Sequence, residues 1–101
     1  MSISSDIKDK TASLKELVEL RLAARGGSVR AQYLLGIKLG TAENGPKEVA
    51  EAVKWYRKAA QQDFAPAQNN LGLLLAGKRL ESPQLEEAVK WFRRAAQQGM
   101  A

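Results

Sequence analysis

Residues 47–62 carry their apolar side chains at a helical period. At about 100° per residue, Ala52, Val53, Tyr56, Ala59 and Ala60 gather on one face. Glu51, Lys54, Arg57, Lys58 and Gln61 gather on the other. Trp55 falls at the boundary, where its ring can cover apolar surface while its N–H reaches water or a polar group. Residues 83–98 repeat this wheel with Phe92 for Tyr56. A second kind of helix is predicted over 29–40 and again over 66–76, with stripes of Ala31, Leu35 and Leu39 and of Ala67, Leu71 and Leu75. Alanines at the contact points let such helices approach closely. Ahead of them, Ser13 and Glu16 have capping-box spacing and open a first helix over 13–25. Its Leu14, Leu17, Val18 and Leu20 are expected on the packed side, with Lys15, Glu19 and Arg25 in water. No strand pattern appears.

The breakers agree with these limits. Gly26-Gly27 ends the first helix and Ser28 caps the second. Asn44-Gly45-Pro46 separates the second from the third. Pro66 and Ser82-Pro83 place prolines in the first turn of the last two helices. Residues 1–12 are polar and short of apolar anchors, and a loose segment is expected there. Gly36 and Gly72 lie inside helices, where glycine costs about 1 kcal/mol relative to alanine, a sign that another backbone comes close.

The similarity between segments is an internal repeat. Glu51–Gln62 returns as Glu87–Gln98, an offset of 36, and 16 of 36 positions are identical when 30–65 is aligned with 66–101 without a gap. Arg21, Ala23 and Ala24 fall on Arg57, Ala59 and Ala60, so the first helix is a partial third copy. A hairpin that repeats leaves one apolar side bare, and stacking the next hairpin completes the core. The chain therefore reads as all-α: a short right-handed α-solenoid of five helices. It forms one domain over 13–101, with a capping helix over 13–25, repeat one over 29–64 and repeat two over 65–101.

Composition narrows the function. The 101 residues include no cysteine and no histidine, which removes disulfides, thiol nucleophiles, Ser-His dyads and nearly every zinc or haem ligand set. Carboxylates are scattered without acid/base geometry, so no enzyme constellation and no cofactor is expected. The opening residues lack the apolar stretch of a secretory signal, no apolar run is long enough for a membrane span, and a cytoplasmic protein is expected. The net charge of +5 is a weak nucleic-acid signature. The wheel turns Tyr56 and Phe92 inward and the neighbouring cations outward, whereas stacking on bases needs both on one surface. No nucleic acid and no membrane partner is expected.

The string Ala-Gln-x-x-Leu-Gly followed by Ala-Val-Lys-Trp-Tyr-Arg-Lys-Ala-Ala-Gln-Gln resembles the Sel-one-like repeat family, over about residues 21–101. The family consists of tetratricopeptide-like hairpins, mostly bacterial. The resemblance implies protein–protein interaction, in scaffolding, adaptor or assembly roles. The chain departs from the pattern in the loop within each repeat. Leu39 and Leu75 replace an aromatic, and Ala42/Asn44 and Lys78/Leu80 replace two glycines.

In the resembled architecture the first helix of each hairpin lines a concave groove. Tyr33 and Ile37 lie together opposite the Leu35 stripe, and Asn69 and Leu73 are their repeat equivalents. Asn69 can hydrogen-bond an extended peptide backbone on two sides. Arg30, at the mouth, can meet a carboxylate. The expected function is a non-catalytic interaction module that presents this groove to a protein or peptide partner. A neutralising protein that blocks a toxin or enzyme, and a structural segment of a longer solenoid, are the alternatives. The last helix has no following hairpin, and Leu85, Trp91 and Met100 lie on or near its uncovered side, so weak self-association is expected, and Trp55 is expected to be worth more to stability than Trp91.

Overall fold

The computed structural model describes the backbone of residues 3–41, 43–80 and 82–99, and side chains within those ranges from Leu14 onward. Among the described residues five helices follow one another without a strand: α1 (Ile3–Arg25), α2 (Val29–Leu39), α3 (Pro46–Ala60), α4 (Ala65–Ala76) and α5 (Leu85–Gln97). Each helix packs on its neighbours in the chain, α1 on α2, α2 on α3, α3 on α4 and α4 on α5, as stacked hairpins require. None of them is long and apolar enough to cross a membrane.

The core is a column of small and branched side chains. Leu35, Leu71 and Leu75 are fully buried among Ala52, Ala59, Ala60 and Ala67. The two internal glycines make room for rings rather than for backbone. A Cβ on Gly36 would stand 2.6 Å from the Tyr56 ring, and one on Gly72 would stand 2.8 Å from the Phe92 ring. The expected backbone approach is therefore corrected: an aromatic side chain of the next helix lies across each glycine.

The helix ends repeat as well. Gly27 has φ +100, and the Ser28 N–H reaches Ala23 O while the Gly27 N–H reaches Ala24 O, both at 3.1 Å. This is a Schellman closure. One repeat later Asp63 adopts the same left-handed conformation, and Gly99 follows another repeat on. Ser28 caps α2, its Oγ accepting from the Ala31 N–H at 3.1 Å, and Pro46 and Pro66 occupy first-turn positions of α3 and α4.

Three expectations at the ends of the chain are corrected. The backbone is already helical at Ile3, so Ser13 lies within α1 rather than at its start, and residues 3–12 are helical rather than loose. The segment 3–25 contains neither glycine nor proline to interrupt it. The Ser13 side chain lies outside the described residues. Leu17 and Leu20 pack on the core, but Leu14 and Val18 are more than half exposed, because they lie roughly 100° round the helix from the arc of Leu17, Leu20 and Ala24. Finally, α5 starts at Leu85 with Gln84 as an uncapped N-terminal residue. The Gln84 N–H donates to Leu75 O at 2.8 Å, which ties that residue to the end of α4 and leaves Ser82-Pro83 outside the helix.

Candidate partner-binding groove

Helices α2 and α4 carry the five residues singled out in the sequence. Arg30 is exposed in the first turn of α2. Tyr33, one turn on, is half-buried, its ring edge-on to Phe64 with centroids 5.1 Å apart and tilted on Tyr56 at 6.0 Å. Ile37 is 39% exposed, and its repeat equivalent Leu73 is 58% exposed. Asn69 is half-buried, and among the described residues its amide makes no hydrogen bond within the chain. Its neighbour Asn70 does, donating to the Tyr56 hydroxyl at 3.4 Å. Gly40, Tyr56, Asn70, Leu73 and Leu74 line a shallow recess of about 150 Å³. Of the five sequence candidates only Leu73 lines this recess.

Tyr56 and Asn70 were missed as recess residues. One signal was available: Asn70 falls on Leu34 in the repeat alignment, a polar residue at a position that is apolar in the preceding copy. Burial raises the Tyr56 phenol above its ordinary pKa, opposed by the Asn70 hydrogen bond and assisted by Tyr33. It is therefore a neutral hydroxyl at physiological pH, suited to hydrogen bonding and not to base chemistry. Among the described residues no group of three or more acidic, cysteine or histidine side chains could hold a metal ion.

The outer surface is more connected than the wheel suggests. Glu51 and Arg57 were expected on a solvated face. Instead Arg21 of α1 grips Glu51 of α3, with Nη1 2.5 Å and Nη2 3.3 Å from the carboxylate. Arg57 of α3 grips Glu87 of α5 with two bonds of 2.9 Å. Each carboxylate also accepts the indole N–H of the tryptophan four residues on, Trp55 at 3.0 Å and Trp91 at 2.9 Å. The arginine bonds hold both carboxyls below the usual glutamate range. Burial opposes this, and the indole bonds reinforce it. Lys58 lies over Trp55, 5.6 Å from the ring centroid, and Arg94 over Trp91 at 5.1 Å. Both indoles are buried, so Trp91 lies within the stack and not, as expected, on the uncovered side of α5. Met100 and Ala42 lie outside the described residues.

A second ladder is made of amides. The buried Gln32 donates to Ala24 O at 3.1 Å and accepts from Gln62 at 2.9 Å. Gln68, fully buried, repeats this with Ala60 O at 3.1 Å and Gln98 at 2.8 Å. Each glutamine thus adds a second donor to a carbonyl in the last turn of the preceding helix that already accepts a backbone N–H, from Gly27 for Ala24 and from Asp63 for Ala60. In the loops, Asn44 donates to Lys38 O and Leu39 O at 2.9 and 3.0 Å, while its repeat equivalent Leu80 packs on the core. The Arg79 guanidinium reaches back to the carbonyls of Gly40, Thr41 and Asn44, fastening the second loop to the first.

The model of one family, the Sel1 repeat, matches the chain twice, at residues 29–64 and 65–100. In the comparison with curated proteins nothing matches.

Proposed function

Because the chain belongs to the Sel1 repeat family, we propose that it is an adaptor or scaffold that holds a protein segment on the face formed by α2 and α4. Sel1 repeats are helical solenoid repeats and generally mediate protein–protein interaction, as a non-catalytic module. The observation that carries the finer reading is Ile37 with Leu73. They occupy one repeat position, and both are exposed on helices whose other side supplies the core. Each has a half-buried polar or aromatic group one turn before it, Tyr33 and Asn69. In this reading an apolar partner side chain covers Leu73 and the recess beneath it. The Asn69 amide takes a backbone hydrogen bond of the partner, and Arg30 meets a carboxylate.

The test is photo-cross-linking from the groove and from the opposite surface. A photoreactive residue at position 73 is expected to capture a discrete protein from a source lysate. Excess unmodified protein should abolish the adduct, and excess Asn69→Ala/Leu73→Ser protein should not. Adducts formed from position 58, on the outer face of α3, with none from position 73, would overturn the groove reading.

A further inference from the structure

One row of the outer surface is apolar where the repeat makes it basic. Leu14, Val18 and Leu22 follow one another at four-residue intervals on α1 and are 63%, 56% and 62% exposed. Their equivalents are Ala50, Lys54 and Lys58 on α3 and Glu86, Lys90 and Arg94 on α5. Helix α3 is packed on both sides, against α2 and α4, and is joined to α1 and α5 through the Arg21–Glu51 and Arg57–Glu87 pairs. Ala50, Lys54 and Lys58 are exposed all the same. These positions therefore face solvent within the stack, and neighbouring hairpins do not cover them. Three branched side chains left in water along one row mark a contact surface. The charges around them say of what kind. Lys15 and Arg25 border the stripe and are exposed, and Lys54, Lys58 and Lys90 continue the surface across α3 and α5. Glu86 is the one carboxylate among these equivalent positions. Glu51 and Glu87 are already matched by Arg21 and Arg57, and Glu16 and Glu19 lie roughly 100° or more round α1 from Val18.

We propose that this outer face binds the surface of an anionic lipid bilayer, with Leu14, Val18 and Leu22 seated at the boundary of headgroups and acyl chains and the lysines on lipid phosphates. An apolar stripe flanked by cations is the pattern of a helix that lies in a membrane interface, and each cation near an anionic leaflet adds to the attraction. Lysine suits this role, because its long stem lets the ammonium follow a mobile headgroup. A folded protein partner anchors its side chains in pockets, whereas none of Leu14, Val18, Leu22, Lys54, Lys58 and Lys90 lines the recess at Tyr56 and Asn70 or the clefts beside the two loops. A second copy of this chain would set the same lysine rows against each other. The contact is peripheral, since none of the five helices is long and apolar enough to cross a membrane. It departs from the expectation of no membrane partner, which rested on the lack of a spanning run. The site is separate from the α2–α4 groove and stands without that reading.

The probes are vesicles of phosphatidylcholine alone and of phosphatidylcholine with about one third phosphatidylglycerol, sedimented with the intact protein at low salt. Partition into the anionic vesicles is expected to exceed that into the neutral ones by about tenfold or more and to fall as salt is raised. Leu14→Gln/Val18→Gln/Leu22→Gln keeps the charge, and Lys54→Gln/Lys90→Gln keeps the apolar stripe. Each should weaken partition by about tenfold, with the melting temperature unchanged because all five side chains are exposed. The chain has no cysteine, so a single environment-sensitive fluorophore can be placed through Val18→Cys or Ile37→Cys. Anionic vesicles should shift the emission at position 18 to the blue and leave position 37 unchanged. Absence of partition overturns the proposal. So does partition that the triple glutamine variant leaves intact, since charge alone would then account for it. A blue shift at position 37 in place of position 18 would overturn it by moving the contact to the groove. Concentration-dependent dimers of the protein alone that the triple glutamine variant abolishes would make the occupant a second copy.

Discussion

Gly36 and Gly72 hold equivalent positions, yet alanine should not cost the same at both. At Gly36 the added methyl meets Tyr56, which is buried and held by Asn70 and Tyr33. At Gly72 it meets Phe92, which is half-buried and has free surface beside it. Overpacking costs about 1–3 kcal/mol when neighbours cannot give way. The expected outcome in chemical denaturation is a loss at the upper end of that range for Gly36→Ala and a smaller loss, or none, for Gly72→Ala. Equal losses would mean that both rings are equally fixed. Gln68 is a different case, because its neighbours are polar. Gln68→Leu keeps the volume but removes one of two donors to the Ala60 carbonyl, which keeps the Asp63 N–H, and the bond to the exposed Gln98 amide, a loss of about 1 kcal/mol. Gln32→Leu removes the same kind of pair. Both should lower the denaturation midpoint without changing helicity. The alignment placed these glutamines in matching positions but gave no sign that they are buried. Burial of a polar residue becomes visible only when its donors and acceptors can be traced, and here the acceptor lies eight residues back across a helix turn and the donor thirty residues on.

Helices α3 and α5 were legible because each has a single apolar face broken by a charged one. Helix α1 was less so. Leu14, Leu17, Val18, Leu20 and Leu22 span much of its circumference, and no single face stands out. Only the structure separates Leu17 and Leu20, on the core, from Leu14, Val18 and Leu22, which are more than half exposed. The repeat gives an independent check. These three positions correspond on α5 to Glu86, Lys90 and Arg94, and on α3 to Ala50, Lys54 and Lys58, all on the outer side of the stack. Grafting the α5 residues onto α1 (Leu14→Glu, Val18→Lys, Leu22→Arg) should therefore leave the melting temperature nearly unchanged. Each substitution should stay within about 0.5 kcal/mol, as for surface positions in general. Leu20→Ala, by contrast, should destabilise measurably, though by less than the roughly 2–5 kcal/mol of a fully buried leucine. A large loss from the triple graft would place Leu14, Val18 and Leu22 in a buried environment. The start of α1 and the start of α5 were misread for a related reason. Cap residues such as Ser13 and Ser82 announce a boundary only where nothing else decides it. A run free of glycine and proline carries the helix through the first, and the hydrogen bond from Gln84 to Leu75 overrides the second.

Across the whole molecule, three helices are joined along the outer surface by two arginine–glutamate pairs, and this makes the stack sensitive to acid. Glu51 and Glu87 are held below the ordinary glutamate pKa, first by the arginine bonds and then by the tryptophan N–H groups, against the opposing effect of burial. A carboxyl whose pKa is lowered by folding binds its proton more weakly in the native state than in the unfolded one. Its contribution is therefore complete above the unfolded value, near 4.5, and is lost as pH falls through the lower folded value. Side chains in both pairs are about a third exposed, so screening limits each pair to on the order of 1 kcal/mol. The melting temperature should hold between about pH 5 and 7 and fall as acid is added below that window. In Glu51→Gln/Glu87→Gln an amide oxygen can still accept the indole N–H while the charge is gone. That variant should melt lower than the parent at neutral pH, depend less on pH below 5, and converge with it once the parent's carboxyls are protonated. Added salt should narrow the neutral-pH gap. If the two proteins keep a constant difference from pH 7 down to pH 3, the acid sensitivity belongs to other carboxylates, and the arginine–glutamate pairs contribute geometry without net charge stabilisation.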